Sequence, residues 1–269
     1  MRRRRASRIA LLVVVPLLAG AAPPTLVIPV MPPSQRYDAC LAETGRDPAA
    51  ALKSAEMWRD VGGGFPAEHC AAIALFELQR YPEAAQRLEA LAGQMMSEPA
   101  DARANALDQA GQAWLLADQP DRAKTAFDAA LSFVPDKPDF LIDRSEALAA
   151  GDHYWGAIDD LNRALEADPK NVDALMFRAS AYRHVGSPDA LELANADANH
   201  ALALAPNSVP CLLERGNIRR LRGDNVGAKA DWQRVITLAP TSDAARYARN
   251  NLAHIDDGTQ TDAPQTPPR

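Results

Sequence analysis

An all-α fold, an α-solenoid of stacked antiparallel helix pairs, is what this sequence predicts, and three observations predict it. Four prolines, Pro135, Pro169, Pro206 and Pro240, stand 34, 37 and 34 residues apart, and self-similarity at that period marks repeated helical pairs. Each proline closes a run in which small and large apolar residues alternate in the same order. Only 6% of residues are aromatic against 47% hydrophobic overall, so a core must be assembled from Ala, Leu and Val used many times.

The first element, residues 1–21, reads as an export signal. Arg2 to Arg5 with Arg8 form a basic start, Ile9 to Leu18 is apolar except for Pro16, and Ala19-Gly20-Ala21 supplies small residues for cleavage. The rival is an uncleaved anchor from Ile9 to Val30, long enough to span a bilayer; Pro23, Pro24 and Pro29 count against it as helix breakers. The arginine run is only loosely like a twin-arginine signal, and Cys40 is too far downstream for lipid attachment. The expected location is therefore periplasmic, with an inner-membrane anchor facing the periplasm as the alternative. Removing residues 1–21 takes away five arginines and no acids, so the formal charge of −6 becomes −11. Such a product is repelled by nucleic acid and by anionic lipid, and it would meet a membrane only through an uncleaved signal.

Residues 22–35 are Pro-rich and read as an extended linker. Residues 36–64 read as a capping helix pair. Its first helix runs from Arg36 to Thr44, where Gly45 stops it; its second opens on Asp47 as N-cap and Pro48 at the first helical position, and runs to about Asp60. Gly62-Gly63-Gly64 is a turn rather than a phosphate cradle, since no Lys-Ser/Thr follows. In an oxidising compartment Cys40 and Cys70, both on helices near this end, are candidates for a disulfide. The other readings are two buried small hydrophobes, or a metal site with His69, which lacks a CxxC. Cys211 reads as core.

Repeats follow. Residues 104–137 carry Leu107, Gly111, Trp114, Ala123, Phe127, Ala130 and Pro135, and residues 138–171 carry Leu141, Ser145, Leu148, Ala157, Leu161, Ala164 and Pro169. Residues 172–208 give Leu175, Ala179 and Tyr182, then, after three extra residues around Ser187-Pro188-Asp189, Ala194, Ala198, Ala201 and Pro206. Residues 209–242 give Leu212, Gly216, Ala228, Trp232, Val235 and Pro240. Residues 65–103 are a degenerate copy (Ala72, Leu75, Ala84, Leu88, Leu91) with Met96 in place of the proline, a second helix expected to be longer, and about five surplus residues. This pattern resembles the tetratricopeptide repeat (TPR): large at position 4, small at 8, 20 and 27, large or aromatic at 11 and 24, proline at 32. Small residues at 8 and 20 let the paired helices approach, and the large ones fill the space beside the contact. The resemblance implies a right-handed superhelix. Residues 243–257 read as a capping helix, with Ala244, Ala248 and Leu252 inward, as a solenoid end needs. Residues 258–269 read as a disordered tail.

Nothing in the sequence forms a catalytic constellation, a cofactor motif or a metal-ligand spacing, and neither cofactor nor small-molecule substrate is expected. Asp159 and Asp160, consecutive on a helix, point about 100° apart and read as a solvated face. His153-Tyr154-Trp155 falls where the turn between helices packs an aromatic. Arg144, Arg178 and Arg215 recur at repeat position 7; they either pair with acids on neighbouring helices or form a ladder for an acidic ligand. The resemblance implies a concave face lined by positions 2, 5, 9 and 12 of the first helices. Here these include Asp108, Gln112, Ile142, Glu146, Met176, Ser180, Arg183, Leu213, Asn217 and Arg220, acidic and amide toward the N-terminal units and basic toward the C-terminal ones. Only Asn217 fits the Lys/Asn pattern with which one TPR subgroup clamps a terminal carboxylate. The implied function is a non-enzymatic scaffold or adaptor of the bacterial envelope that holds a protein partner's peptide or helix. A structural, self-associating protein is the alternative, and the oligomeric state stays open.

Overall fold

The computed structural model describes residues 32–256; the expected signal, residues 22–31 of the linker and the tail lie outside the described residues. Among the described residues there are thirteen helices and no strand. The N-terminal helices are α1 (Pro33–Thr44) and α2 (Pro48–Asp60). Then come α3 (Gly64–Glu77) with α4 (Tyr81–Gln94), α5 (Ala100–Leu116) with α6 (Pro120–Phe133), and α7 (Pro138–Ala150) with α8 (Tyr154–Ala167). They are followed by α9 (Val172–Val185) with α10 (Pro188–Leu204), α11 (Val209–Leu221) with α12 (Asn225–Leu238), and the last helix, α13 (Asp243–Asp256). Consecutive helices pack on one another from α1 to α13, and α5, α7, α9, α11 and α13 also meet one another in series. The second helices of the pairs stand further apart, so the first helices form the inner layer.

Local chemistry explains the boundaries. The residues before the four recurrent prolines, Val134, Asp168, Ala205 and Ala239, take φ values of −135°, −134°, −129° and −141° at the ends of their helices; proline's ring pushes its predecessor out of the helical region. Asp47, Asn171, Ser187, Ser208 and Asp224 each accept a backbone N–H three residues on, capping the helix that follows. Two boundaries differ from expectation. Helix α1 starts at Pro33, not Arg36, because proline loses nothing at the first turn, where its N–H would be unpaired. Helix α4 is no longer than its neighbours. The surplus residues instead add a turn to the front of α5, where Arg103 donates to the Ala92 carbonyl and lies 4.4 Å over the Phe133 ring.

Packing follows a size rule between positions 8 and 24. A Cβ on Gly111 would fall 2.5 Å from Phe127, and one on Gly216 2.4 Å from Trp232. Where position 8 is Ser145 or Ala179, the facing residue shrinks to Leu161 or Ala198, and all are buried. The three-residue insertion lengthens α10 to 17 residues. At the N-terminal end Cys40 on α1 and Cys70 on α3 form a disulfide across 6.2 Å between Cα atoms. His69, beside it, accepts from the Tyr37 hydroxyl at Nδ1 and donates from Nε2 to Gln109 on α5, each at 2.7 Å. At the other end Ala245 and Ala248 of α13 are fully buried, with Ala244 and Leu252 packed against them. Cys211 is buried as a free thiol.

Candidate functional site

The recurrent arginines point away from the inner layer. Arg144 grips Asp160 through Nε and Nη2 at 2.7 and 2.6 Å and reaches back to Asp128 at 2.7 Å. Arg178 does the same with Asp197 and Asn162, and Arg215 with Asp231 and Asn199. Each arginine thus joins its own second helix to that of the preceding pair, which settles the ladder as intramolecular. The carboxylates drive the Arg144 and Arg178 guanidinium pKa values further up. Asp160, expected on a solvated face, is buried in this clamp while Asp159 remains exposed. The two do point apart, but only one of them points to water.

The inner layer carries a groove of about 520 Å³ lined by α7, the start of α8, α9 and α11. Ala149, Ala181, Met176, Phe177 and Leu213 make its apolar part, and Glu146, Asp152, Ser180, His184 and Glu214 its polar part. An adjoining open depression of about 500 Å³ shares Glu146 and Phe177 and adds Asp139, Ile142, Asp143, Asn171 and Asp173. Local partners hold the polar edges, although Arg183 Nη1 is buried without a hydrogen-bond partner. The buried Arg183 binds Glu214 at 2.5 Å and donates to His184 Nε2 at 3.1 Å, which requires the neutral imidazole. Burial, then the Arg183 charge, pulls the His184 pKa below its ordinary value. Tyr154 stacks on His184 at 4.8 Å and donates to Asp152; burial and that bond push its phenol up to about 12. Ser145 is committed to the Ile142 carbonyl. The arrangement is a surface with fixed polar edges.

Of the residues expected to line the concave face, Glu146, Met176, Ser180 and Leu213 line the main groove and Ile142 the adjoining depression. Asp108 and Gln112, on α5, line neither depression: Gln112 Nε2 bridges Asp108 and Asp143 at 3.0 and 2.8 Å. Burial and then Asp143 push the Asp108 carboxyl up to about 8, and burial raises Asp143 as well. Asn217 is buried and accepts from Asn251 of α13. Arg183 is wholly enclosed by its ion pair, and neither it nor the half-buried Arg220 lines either depression. Position 6 of the repeat (Asp143, Phe177, Glu214) contributes instead. It sits four residues after position 2 and three before position 9, so helix geometry places it on the same face. His184 is reached in the same way, four residues beyond position 9. Of His153-Tyr154-Trp155, expected where the turn packs an aromatic, Tyr154 packs against His184 while Trp155 is 62% exposed.

No family model matches the chain. Among solved structures, a tetratricopeptide repeat protein from Parabacteroides merdae ATCC 43184 superposes with a TM-score of 0.69 over 84% of this chain and 88% of that one, at 14% identity. MamA from Desulfovibrio magneticus RS-1 gives 0.55 over 70% and 97%, at 20% identity. TTC0263, a thermophilic TPR protein of Thermus thermophilus, gives 0.53 over 58% and 84%, at 21%. These establish the fold as the TPR solenoid. A curated relative, mouse protein O-mannosyl-transferase TMTC1, is 27% identical over 108 residues, 39% of this chain; the chain spans 11% of that protein's length.

Proposed function

We propose that this chain, a TPR solenoid by fold, is a non-enzymatic adaptor of the bacterial cell envelope that holds a segment of a partner protein in the groove formed by α7, α9 and α11. One observation carries the reading. The groove is the place where the inner layer leaves Met176, Phe177 and Leu213 together beside polar groups held in fixed positions by Arg183 and Asp152. An apolar floor with oriented polar edges suits an extended peptide or a helix. The periplasmic assignment is supported by the Cys40–Cys70 disulfide, since such bonds persist in oxidising compartments, and by the signal-like character of residues 1–21. Membrane attachment through an uncleaved signal is the alternative; no helix among the described residues is long and apolar enough to cross a bilayer.

The test is site-specific photocrosslinking from the full chain in its native host, with the crosslinking side chain replacing Met176 or, as control, the outward-facing Asp159. Adducts to another protein of the envelope fraction from position 176 alone are expected. Adducts only between copies of this chain would establish the self-associating alternative, and equal adducts from both positions would remove the groove from consideration.

A further inference from the structure

Six carboxylates line the groove and its adjoining depression: Asp139, Asp143, Glu146, Asp152, Asp173 and Glu214. Among the described residues no lysine or arginine lines either one. Glu214 is neutralised from behind by Arg183 and Asp152 accepts from Tyr154; Asp139 and Asp173 are exposed, facing the same depression across α7 and α9. Lys137, just before α7, donates to Asn105 at 2.9 Å and lies 4.1 Å over the Phe140 ring, and its charge also acts on Asp108.

A second feature is the carboxyl pair of Asp108 and Asp143. Asp108 is only 7% exposed, and its Oδ1 is buried without a hydrogen-bond partner. Its other oxygen shares the Gln112 amide with Asp143, which lines the depression. The two carboxyls are close enough to interact directly. Buried acceptors are ordinarily satisfied; burial and the neighbouring Asp143 keep the Asp108 carboxyl protonated, so the charge open to a partner at this depression lies on the exposed Asp139 and Asp173.

We infer that the groove selects a partner segment carrying lysine or arginine next to apolar residues, with the cations set between Asp139, Asp143 and Asp173 and the apolar side chains against Met176, Phe177 and Leu213. This rests on the groove reading above and adds the partner's chemistry to it. Complementary charge supplies register and choice of partner, and its effect weakens as salt rises.

The experiment is selection of a random peptide display library on the full chain, run in parallel on Met176→Glu and on Asp139→Lys/Asp173→Lys. Circular dichroism verifies that all three proteins are equally helical; the paired reversal alters only exposed side chains. The expected pool depends on Met176 and is enriched in lysine and arginine. Its leading peptides should lose at least about tenfold in affinity on the paired reversal, and a comparable factor between about 50 and 300 mM NaCl. A Met176-dependent pool that is neutral or acidic, or whose affinity survives the reversal, overturns this inference and leaves the groove reading standing. A wild-type chain that enriches no Met176-dependent pool overturns both.

Discussion

Arg178 offers a direct measure of what locks one helix pair to the next. Its guanidinium gives two hydrogen bonds to Asp197 and one to Asn162, all at 2.8 Å, so that one side chain on α9 ties α10 to α8. The Asp197 side chain is 11% exposed and that of Arg178 21%. Arg178→Met keeps the stem's volume, removes three hydrogen bonds and leaves Asp197 nearly buried without its partner. Breaking a buried pair from one side costs about 3–5 kcal/mol. The residual exposure of both groups lets water in and places the expectation at the lower end, about 3 kcal/mol. Asp197→Leu should cost less, about 1–2 kcal/mol, because the guanidinium keeps Asn162 and some solvent. Replacing both should bring stability back to within about 1 kcal/mol of wild type, since an apolar pair of similar volume carries no desolvation cost. Urea unfolding followed by circular dichroism gives the double-mutant cycle, and hydrogen exchange in α9 and α10 shows whether the loss is local. Losses that add without coupling, or a single replacement costing under about 0.5 kcal/mol, would refute the view that these bridges work as buried units.

Further outcomes follow from the packing and the charges. Gly216→Ala should destabilise by about 1–2 kcal/mol, because a Cβ at 2.4 Å from the fully buried Trp232 must displace the ring; Gly93→Ala, exposed in α4 with nothing within 4 Å, should instead gain about 0.5–1 kcal/mol in the same thermal melts. Cys40→Ala/Cys70→Ala should cost about 3–4 kcal/mol, as expected for opening a loop with a 30-residue separation, and the same loss should appear in wild type on adding reductant. Asp108 keeps its proton when folded up to about pH 8 but loses it near pH 4 when unfolded. The folded state therefore binds the extra proton between those values, and stability falls as pH rises through the window. Asp108→Asn should remove that slope, so that its advantage over wild type grows by at least about 1 kcal/mol between about pH 5 and 8; a constant difference would refute the assignment.

Much of the fold was legible because its signals are local. The prolines forecast four helix ends, and the residues before them leave the helix as the ring requires. The arginine ladder was partly legible. The spacing from arginine to aspartate is 16, 19 and 16 residues in the three units, and the middle value carries the same three-residue insertion as the prolines. The unit at 104–137 has Ala110 and Ala126 at the corresponding positions, both members absent together. The groove was less legible. Arg183 was assigned to it from repeat position, yet its direction is decided by Glu214 on the next pair, a contact between units that single-repeat bookkeeping cannot contain. Position 6 was missed because only positions 2, 5, 9 and 12 were carried over, although the helical repeat puts it on the same face. Nor does a family pattern say which of two adjacent aspartates, Asp159 or Asp160, meets an arginine.

The ladder and the groove are linked through the placement of charge. Arg144, Arg178 and Arg215 sit at position 7, one residue past the groove-lining position 6, and are committed to Asp160, Asp197 and Asp231 on the second helices. Arg183, the arginine that repeat position had placed in the groove, is held by Glu214. The cations nearest the inner layer are thus consumed in holding successive pairs together, while Asp139, Asp143 and Asp173 stay on the open side. A modest net charge of −6 consequently becomes a locally concentrated one, because cation and anion are sorted to opposite sides of the same helices. Carboxylates crowded on one concave face repel one another, and a counter-charge brought by a partner would relieve that repulsion. With Arg144, Arg178, Arg183 and Arg215 engaged in the fold, the basic segment proposed for the groove would supply that counter-charge.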